Sequence, residues 1–465
     1  MSSTIFVDYS TAVPAAWLND VNTVTYVSVI NAKLAPYGAV GKGTTDDTVA
    51  LQAALTAAAG KVLFLPAGTY LVSSTLTISS GTTIIGAGRL RTRITWTSTT
   101  LDVFSINTTD PVQMSDFQMT GPASATAGAM IKVDGPSASG NAYSTFSRLL
   151  LSRGYDQIKM ISSLAWTIEA CVFSGFVHRA LTVANALVPD AGDGLVHGNC
   201  IFANGIAGSV AIYQTSSGGL KVLGNKFNGL GTYAYQMQLA SAVVTSDLVF
   251  VGNSVENFTS AAMFFDSDGG GAICSNIVIC GNQFALNPRG IDMSSATAFL
   301  RNISITGNTI NVTAAGTYGI IGVELARYSI SGNIIGGVGS GTPVGISLDG
   351  TCSAGIIGEN SYANLTTNIS DASVSRVPLQ LTSPLTSTAS LTAHNATAVP
   401  AGGTAGAGIL MSSTANLGVF FGSGVPTLSA AKGSLYLRTD GSGTTDRFYI
   451  NTNGTTTWTA GTTVA

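Results

Sequence analysis

The sequence predicts an all-β protein built as a parallel β-helix, with a short N-terminal leader, one capping helix and a small C-terminal β module. Three observations predict it. A Gly-Asn dipeptide recurs at Gly198-Asn199, Gly224-Asn225, Gly252-Asn253, Gly281-Asn282, Gly307-Asn308 and Gly332-Asn333, then degenerately at Gly358-Glu359-Asn360, with spacings of 26, 28, 29, 26, 25 and 26 residues. Short β-type runs precede several copies, as in Ile277-Val278-Ile279-Cys280 and Ile303-Ser304-Ile305-Thr306. Only 9% of the 465 residues are charged and 55 are glycine, a composition that persists through most of the chain without a linker. A period in the mid-twenties with no helical segment matches one coil of three short strands and three turns.

The same numbers exclude several classes. Mean hydropathy is +0.37, yet Gly, Ser, Thr and Asn break every apolar run well short of the ~18 residues a spanning helix needs, so no membrane insertion is expected. The chain carries 20 Lys+Arg against 23 Asp+Glu, a net charge of -3, and no basic cluster, so nucleic acid is not an expected partner. Cys171, Cys200, Cys274, Cys280 and Cys352 are scattered without a C-x-x-C pair and read as small buried apolar residues rather than disulfides or zinc ligands. The histidines are too dispersed for a zinc triad, and no cofactor is expected. Gly86-Ala87-Gly88-Arg89 superficially looks like a nucleotide loop but lacks the rest of the motif and a following helix. Met1 to Asp20 contain no basic segment followed by an apolar block, so a secretory signal peptide is not expected.

Taken in chain order, residues 1–35 form the leader and residues 36–375 the coils. Thr45-Asp46-Asp47 precedes an Ala/Leu-rich helix from Thr48 to Ala59 closed by Gly60, with the acids at the positive end of its dipole. Ala50, Leu51, Ala54, Leu55 and Ala58 make one apolar stripe, suited to covering the open end of the core. Weaker copies of the repeat at Gly86-Ala87, Asp116-Phe117, Arg148-Leu149 and Ala170-Cys171 extend the series to roughly ten or more coils, a rod of about 50 Å at ~4.8 Å per coil. Stacked turns allow an asparagine ladder, with glycine supplying positive φ. Residues 376–465 lack the repeat and read as strands with turns at Asp440-Gly441 and Asn453-Gly454, too poor in apolar residues to fold readily alone.

The segment Tyr37-Gly38-Ala39-Val40-Gly41-x-Gly43-x-x-Asp46-Asp47-x-x-Ala50-Leu51-Gln52, followed by Val62-Leu63-Phe64-Leu65-Pro66-Ala67-Gly68-Thr69-Tyr70, resembles the N-terminal signature of the pectate-lyase-like β-helix superfamily. That resemblance covers about residues 36 to 375 and implies a right-handed parallel β-helix. The superfamily includes polysaccharide lyases, hydrolases, epimerases and bacteriophage tailspikes. Val13-Pro14-Ala15-Ala16-Trp17-Leu18-Asn19-Asp20-Val21-Asn22 looks like the leader of short-tailed phage fibres and tailspikes, which implies docking onto phage tail proteins. The stretch from Gly433-Ser434-Leu435-Tyr436 through Thr457-Trp458 resembles a β module at the ends of phage tail proteins. Resemblance to tailspikes implies a homotrimer in the virion, assembled in the host cytoplasm and recognising a bacterial surface polysaccharide.

For chemistry, strand alternation sets Ile212, Met237, Phe265, Ile291, Ile321 and Ile346 inward and Tyr213, Gln238, Asp266, Asp292, Gly322 and Ser347 outward in one column. Asp266 and Asp292 then become neighbours on adjacent coils, the acid-and-base pairing that glycoside hydrolysis uses. Asp268 and Glu324 are the fallback acids, and Tyr213, Gln238 and Phe264 the expected sugar-binding groups. The competing reading makes these acids solvating groups of an outer face. A second cluster, Asp190, Asp193 and His197 with Glu169 and His178-Arg179 nearby, occupies the long excursion between coils, where two carboxylates are too few for a calcium site. Three functions stay open: a tailspike that binds and depolymerises its polysaccharide, a spike that only binds it, and a free pectate-lyase-like enzyme.

Overall fold

The structure, a computed structural model, describes residues 29–136, 140–184, 192–215, 218–240, 244–267, 270–294, 298–313, 318–339, 343–373, 408–412 and 417–463. The leader motif, Asp190 and Asp268 lie outside these residues. The chain divides into two compact units, Met1–Leu379 and Gln380–Ala465.

The first unit is a parallel β-helix. Its strands fall into three long sheets of 13, 13 and 12 members, which the chain visits in turn on each coil. Equivalent residues stack in register: Leu248 pairs with Ile277, Ile277 with Ile303, and Ile303 with Tyr328. Inward side chains of the three sheets merge into one apolar core running from Ile30 to Cys352. Ile212, Met237, Phe265, Ile291 and Ile346 are buried in it, as alternation predicts. Ile321 is a correction: Ile320 is the buried residue and Ile321 lies on the outer face, while Gly322 stacks between inward Met293 and Leu348. Two adjacent β-branched residues give alternation nothing to choose between.

The Gly-Asn turns form the expected ladder. The side-chain oxygen of Asn253 accepts from the backbone N–H and the amide of Asn225 at 2.9 and 3.0 Å. The Asn253 amide in turn donates to the carbonyl of Val222 at 2.9 Å and to Asn282 at 3.0 Å. The same pattern runs from Asn199 to Asn360, with the preceding glycines from Gly198 to Gly332 at φ of 60° to 67°. The weaker copies make the same corner. Asp116, Arg148 and Ala170 take φ of 62°, 50° and 51°, followed by buried Phe117, Leu149 and Cys171.

The helix Thr48–Ala57 covers the N-terminal end, burying Thr48, Leu51, Ala54 and Leu55, and Gly60 follows at φ 69°. Its acids divide their work differently from the dipole reading. Asp47, at the N-cap, makes no capping bond; its carboxylate instead accepts from the backbone N–H groups of Val40 and Gly41 at 2.5 and 3.0 Å, pinning the glycine-rich turn. Asp46 accepts from the N–H of Thr48 at 3.0 Å and the hydroxyl of Ser73 at 2.6 Å, and the Ser73 and Thr48 donors hold its carboxyl below the usual range.

Among the described residues no helix is long and apolar enough to cross a membrane. The cysteines are free: Cys171, Cys274 and Cys352 are buried, whereas Cys200 and Cys280 are half-buried. Burial pushes the thiols of Cys171 and Cys274 up to about 12 and that of Cys352 to about 11, which leaves them protonated and unreactive at neutral pH.

The second unit holds one five-stranded sheet, formed by Gly408–Ser412, Leu417–Gly422, Leu435–Arg438, Phe448–Asn451 and Trp458–Gly461. Phe420, Tyr436 and Tyr449 anchor its small core, and the Trp458 indole donates to the carbonyl of Leu428 at 3.0 Å. Leu435, Leu437 and Ile450 remain exposed, so much of this unit's apolar surface is unburied.

Candidate functional site

The outer face of the third sheet gathers the side chains with chemistry. It departs from simple alternation because a column of small residues, Ala180, Ala211, Ala234, Ala262, Gly290 and Gly319, lies next to inward residues such as Ile212, Tyr235 and Met263. Ladder pairing skips this column, passing from Ala261–Arg289 directly to Met263–Ile291. A β-carbon at Gly290 would come within 2.5 Å of the Gly319 carbonyl oxygen and of Ile310, so the bend there requires glycine. The bend sets residues three apart on one face. Arg289 therefore reaches Asp292 at 2.5 Å.

Two outward columns follow. One runs Lys159, Thr182, Tyr213, Gln236, Phe264, Asp292, Ile321 and Ser347; the other runs Ala184, Thr215, Gln238 and Asp266. Tyr213, Phe264 and Asp292 are thus stacked in one column, with Gln238 and Asp266 in the next. This corrects the single column expected from the sequence. Asp292 pairs with Phe264, two residues before Asp266, so the two acids are diagonal neighbours, about 8 Å apart at Cα from strand spacing and rise. A slip of two residues preserves inward and outward parity, and alternation alone does not reveal it.

The two carboxylates differ in setting. Asp292 is buried, held by Arg289, by the Ser294 hydroxyl at 2.6 Å and by the Ser294 N–H at 3.1 Å. Asp266 is half-buried and accepts from the N–H of Ser267 at 2.8 Å. Tyr233 stacks on Phe264 with ring centroids 4.8 Å apart. Burial first, and then the charges of Asp292 and Asp266, push its hydroxyl above the ordinary range, against an opposing hydrogen bond with Ser260. Gln236 donates to Gln238 at 3.2 Å. Glu324 is not part of this group: it sits in the turn after the strand Tyr318–Gly322, at φ 54°, and Ile321 is the residue stacked on Asp292.

Further along the face, the Arg179 guanidinium lies over the Tyr213 ring, 3.2 Å from its centroid. Asp156, buried one coil away, accepts from Nδ1 of His178 at 2.8 Å, and Tyr155 stacks on that imidazole at 4.4 Å. The second cluster expected from the sequence is therefore split. His178 belongs to this face, while His197 pairs with Glu169 at 2.9 Å on the first sheet. Among the described residues no group of three or more His, Cys, Asp or Glu is arranged to hold a metal ion. A cavity of about 570 Å³ near the cap, lined by Gly60, Lys61, Thr83 and Gln113 among others, has Lys61 as its one titratable side chain and so lacks an acid–base pair.

Sequence reasoning placed Arg179 in the loop cluster rather than on this face, and missed Tyr233, Arg289 and Tyr318. All precede the small-residue column, where strict alternation misassigns the face. The recurrence of Ala or Gly at the second position of successive strands was the available signal.

These features define a class of fold, the parallel β-helix. Residues 29–257 match the family model described as rhamnogalacturonase A/epimerase, pectate lyase-like, and the rod has that fold. The A-module of mannuronan C-5 epimerase AlgE4 from Azotobacter vinelandii is similar over 75% of this chain and 99% of its own, at 18% identity and a TM-score of 0.54. PfbA, a surface adhesin of Streptococcus pneumoniae, is similar over 74% of this chain and 93% of its own, at 17% identity and a TM-score of 0.52. Tailspike protein 3 of bacteriophage CBA120 is similar over 98% of this chain and 73% of its own, at 13% identity and a TM-score of 0.50. At such identities the likeness is one of fold. No curated protein matches the chain in sequence.

Proposed function

We propose that the chain is a phage tailspike or tail fibre whose third-sheet outer face binds a bacterial surface polysaccharide. One observation carries this reading. From Lys159 to Tyr318, seven consecutive strands spanning about 29 Å present Tyr213, Tyr233, Phe264 and Tyr318 beside amides and charges. Aromatic faces for sugar rings, with polar groups fixing their hydroxyls, are what an extended glycan requires. The reading is supported by the tailspike, epimerase and adhesin of like fold and by the leader and C-terminal motifs. In it, the leader docks onto the tail, and a homotrimer covers the exposed Leu435, Leu437 and Ile450.

The test is binding to an array of bacterial surface polysaccharides. Tyr233→Ala and Phe264→Ala are each expected to weaken binding about tenfold, or about 1.4 kcal/mol, without loss of fold. Variants that bind like wild type, or a wild type that binds no glycan, contradict the reading.

A second reading, depolymerisation, draws on the diagonal pair Asp266 and Asp292. In it one acid protonates the leaving oxygen and the other activates a water, the division of roles in an inverting hydrolase. Asp266→Asn and Asp292→Asn are expected to abolish release of reducing ends while binding persists. Full activity in both mutants moves the chemistry elsewhere; no release by wild type leaves a binding-only spike.

A further inference from the structure

We propose that Arg179, Thr182 and Lys159 form a subsite for an anionic group, a carboxylate or a phosphate carried by the glycan; this rests on the glycan-face reading only for where the anion comes from. Thr182 is 2% exposed, and its hydroxyl has no hydrogen-bond partner among the described residues. The Nε of Arg179 is also buried without a hydrogen-bond partner among the described residues. Burying such groups unpaired is costly, most of all for the charged one, so their retention on one face points to a ligand that accepts from both.

The charges agree. Lys159 and Thr182 are direct ladder partners on adjacent coils, and Arg179 lies three residues before Thr182, the spacing that the bend sets on one face. Neither Lys159 nor Arg179 makes an ion pair among the described residues, in a chain with only 20 Lys+Arg. Neighbouring charges are otherwise engaged. Lys132 pairs with Asp134 at 3.1 Å. Asp156, the ladder partner of Arg179, is bonded to His178 instead. With its central carbon over the Tyr213 ring, the guanidinium has its N–H edge as the part that meets a planar or tetrahedral oxyanion.

The experiment uses the full chain and small probes, so that it reads the subsite apart from any polysaccharide. Saturation-transfer NMR with sodium glucuronate, its neutral methyl ester and glucose, at fixed ionic strength, is run beside phosphorus relaxation of inorganic phosphate. Wild type is expected to bind glucuronate or phosphate at least fivefold more strongly than the neutral sugars. The glucuronate and phosphate arms tell a uronate from a phosphate substituent. Arg179→Met, which keeps the stem over Tyr213, is expected to abolish the preference, and Thr182→Val to reduce it about threefold, both with unchanged melting curves. Equal response to the ester and the acid with no phosphate binding, or an undiminished preference in Arg179→Met, overturns the subsite. Anion binding that depends on Arg179 in a protein that binds no polysaccharide supports the subsite and sinks the glycan-face reading alone.

Discussion

From Asp116 to Ala170 the corner after the first sheet is turned by non-glycine residues at positive φ and filled by Phe117, Leu149 and Cys171, all buried. From Gly198 to Gly332 the same corner is turned by glycine and filled by asparagine. In both halves the corner N–H bonds to the next coil, as from Arg148 to Glu169 and from Gly224 to Val251. The backbone conformation is therefore the fixed requirement. Its interior accepts either an apolar stack or a chain of amides. The two halves meet where Cys171, last of the apolar series, donates its N–H to the side chain of Asn199 at 2.8 Å. The candidate glycan face, on another sheet, spans that junction.

The comparison breaks most sharply at the ladder. Asn253→Leu, which imports the chemistry of Leu149, leaves the N–H of Asn225 buried without its partner and removes the amide bonds to the Val222 carbonyl and to Asn282. A loss of about 3–5 kcal/mol in chemical denaturation is expected. A loss below about 1 kcal/mol means the amide chain adds little. Next comes the corner residue. A β-carbon at Gly224 meets nothing within 4 Å, so Gly224→Ala tests φ alone and is expected to cost about 1–2 kcal/mol. Ala170→Gly is the opposite experiment at φ 51° and is expected to stabilise by about 0.5 kcal/mol after the unfolded-state entropy is subtracted. Equal signs for these two substitutions contradict the shared corner.

The smallest effect concerns Asp116 and Arg148, a corner pair 2.6 Å apart in the early half, with side chains 28% and 54% exposed. The Arg148 hydrogen bond is the main cause holding the Asp116 carboxyl below its usual value. A depressed carboxyl contributes stability above the unfolded value near ~3.9 that is lost as pH falls through the folded one. Exposure and salt keep this below about 1 kcal/mol. Arg148→Met is expected to flatten that part of the stability profile, and an unchanged profile assigns the slope to other carboxyls.

The glycine–asparagine half announced itself in the sequence because its chemistry is restricted: few residues accept φ near +60°, and fewer continue an amide ladder. The early half was fainter because Phe117, Leu149 and Cys171 look like any core residue. Inward and outward parity was legible wherever one β-branched or aromatic residue alternated with a polar one, as at Ile291 and Asp292. It failed at Ile320-Ile321. Register was not legible, since moving Asp266 by two positions relative to Asp292 leaves every parity intact. Tyr233 and Arg289, and the place of Arg179 on this face, were hidden by the bend at the small-residue column, which replaces a spacing of two by one of three. Asp46 and Asp47 look alike as dipole partners because composition does not distinguish a carboxylate at a helix start from one pinning the preceding turn.

The central claim is that the outer face of the third sheet holds a sugar chain. It is tested most directly by the crystal structure of the protein with the surface oligosaccharide that binds it best. The account predicts sugar density along that face between the coils of Lys159 and Tyr318, with rings against Tyr213, Tyr233 or Phe264. Density confined to the first or second sheet, or to the C-terminal unit, contradicts it.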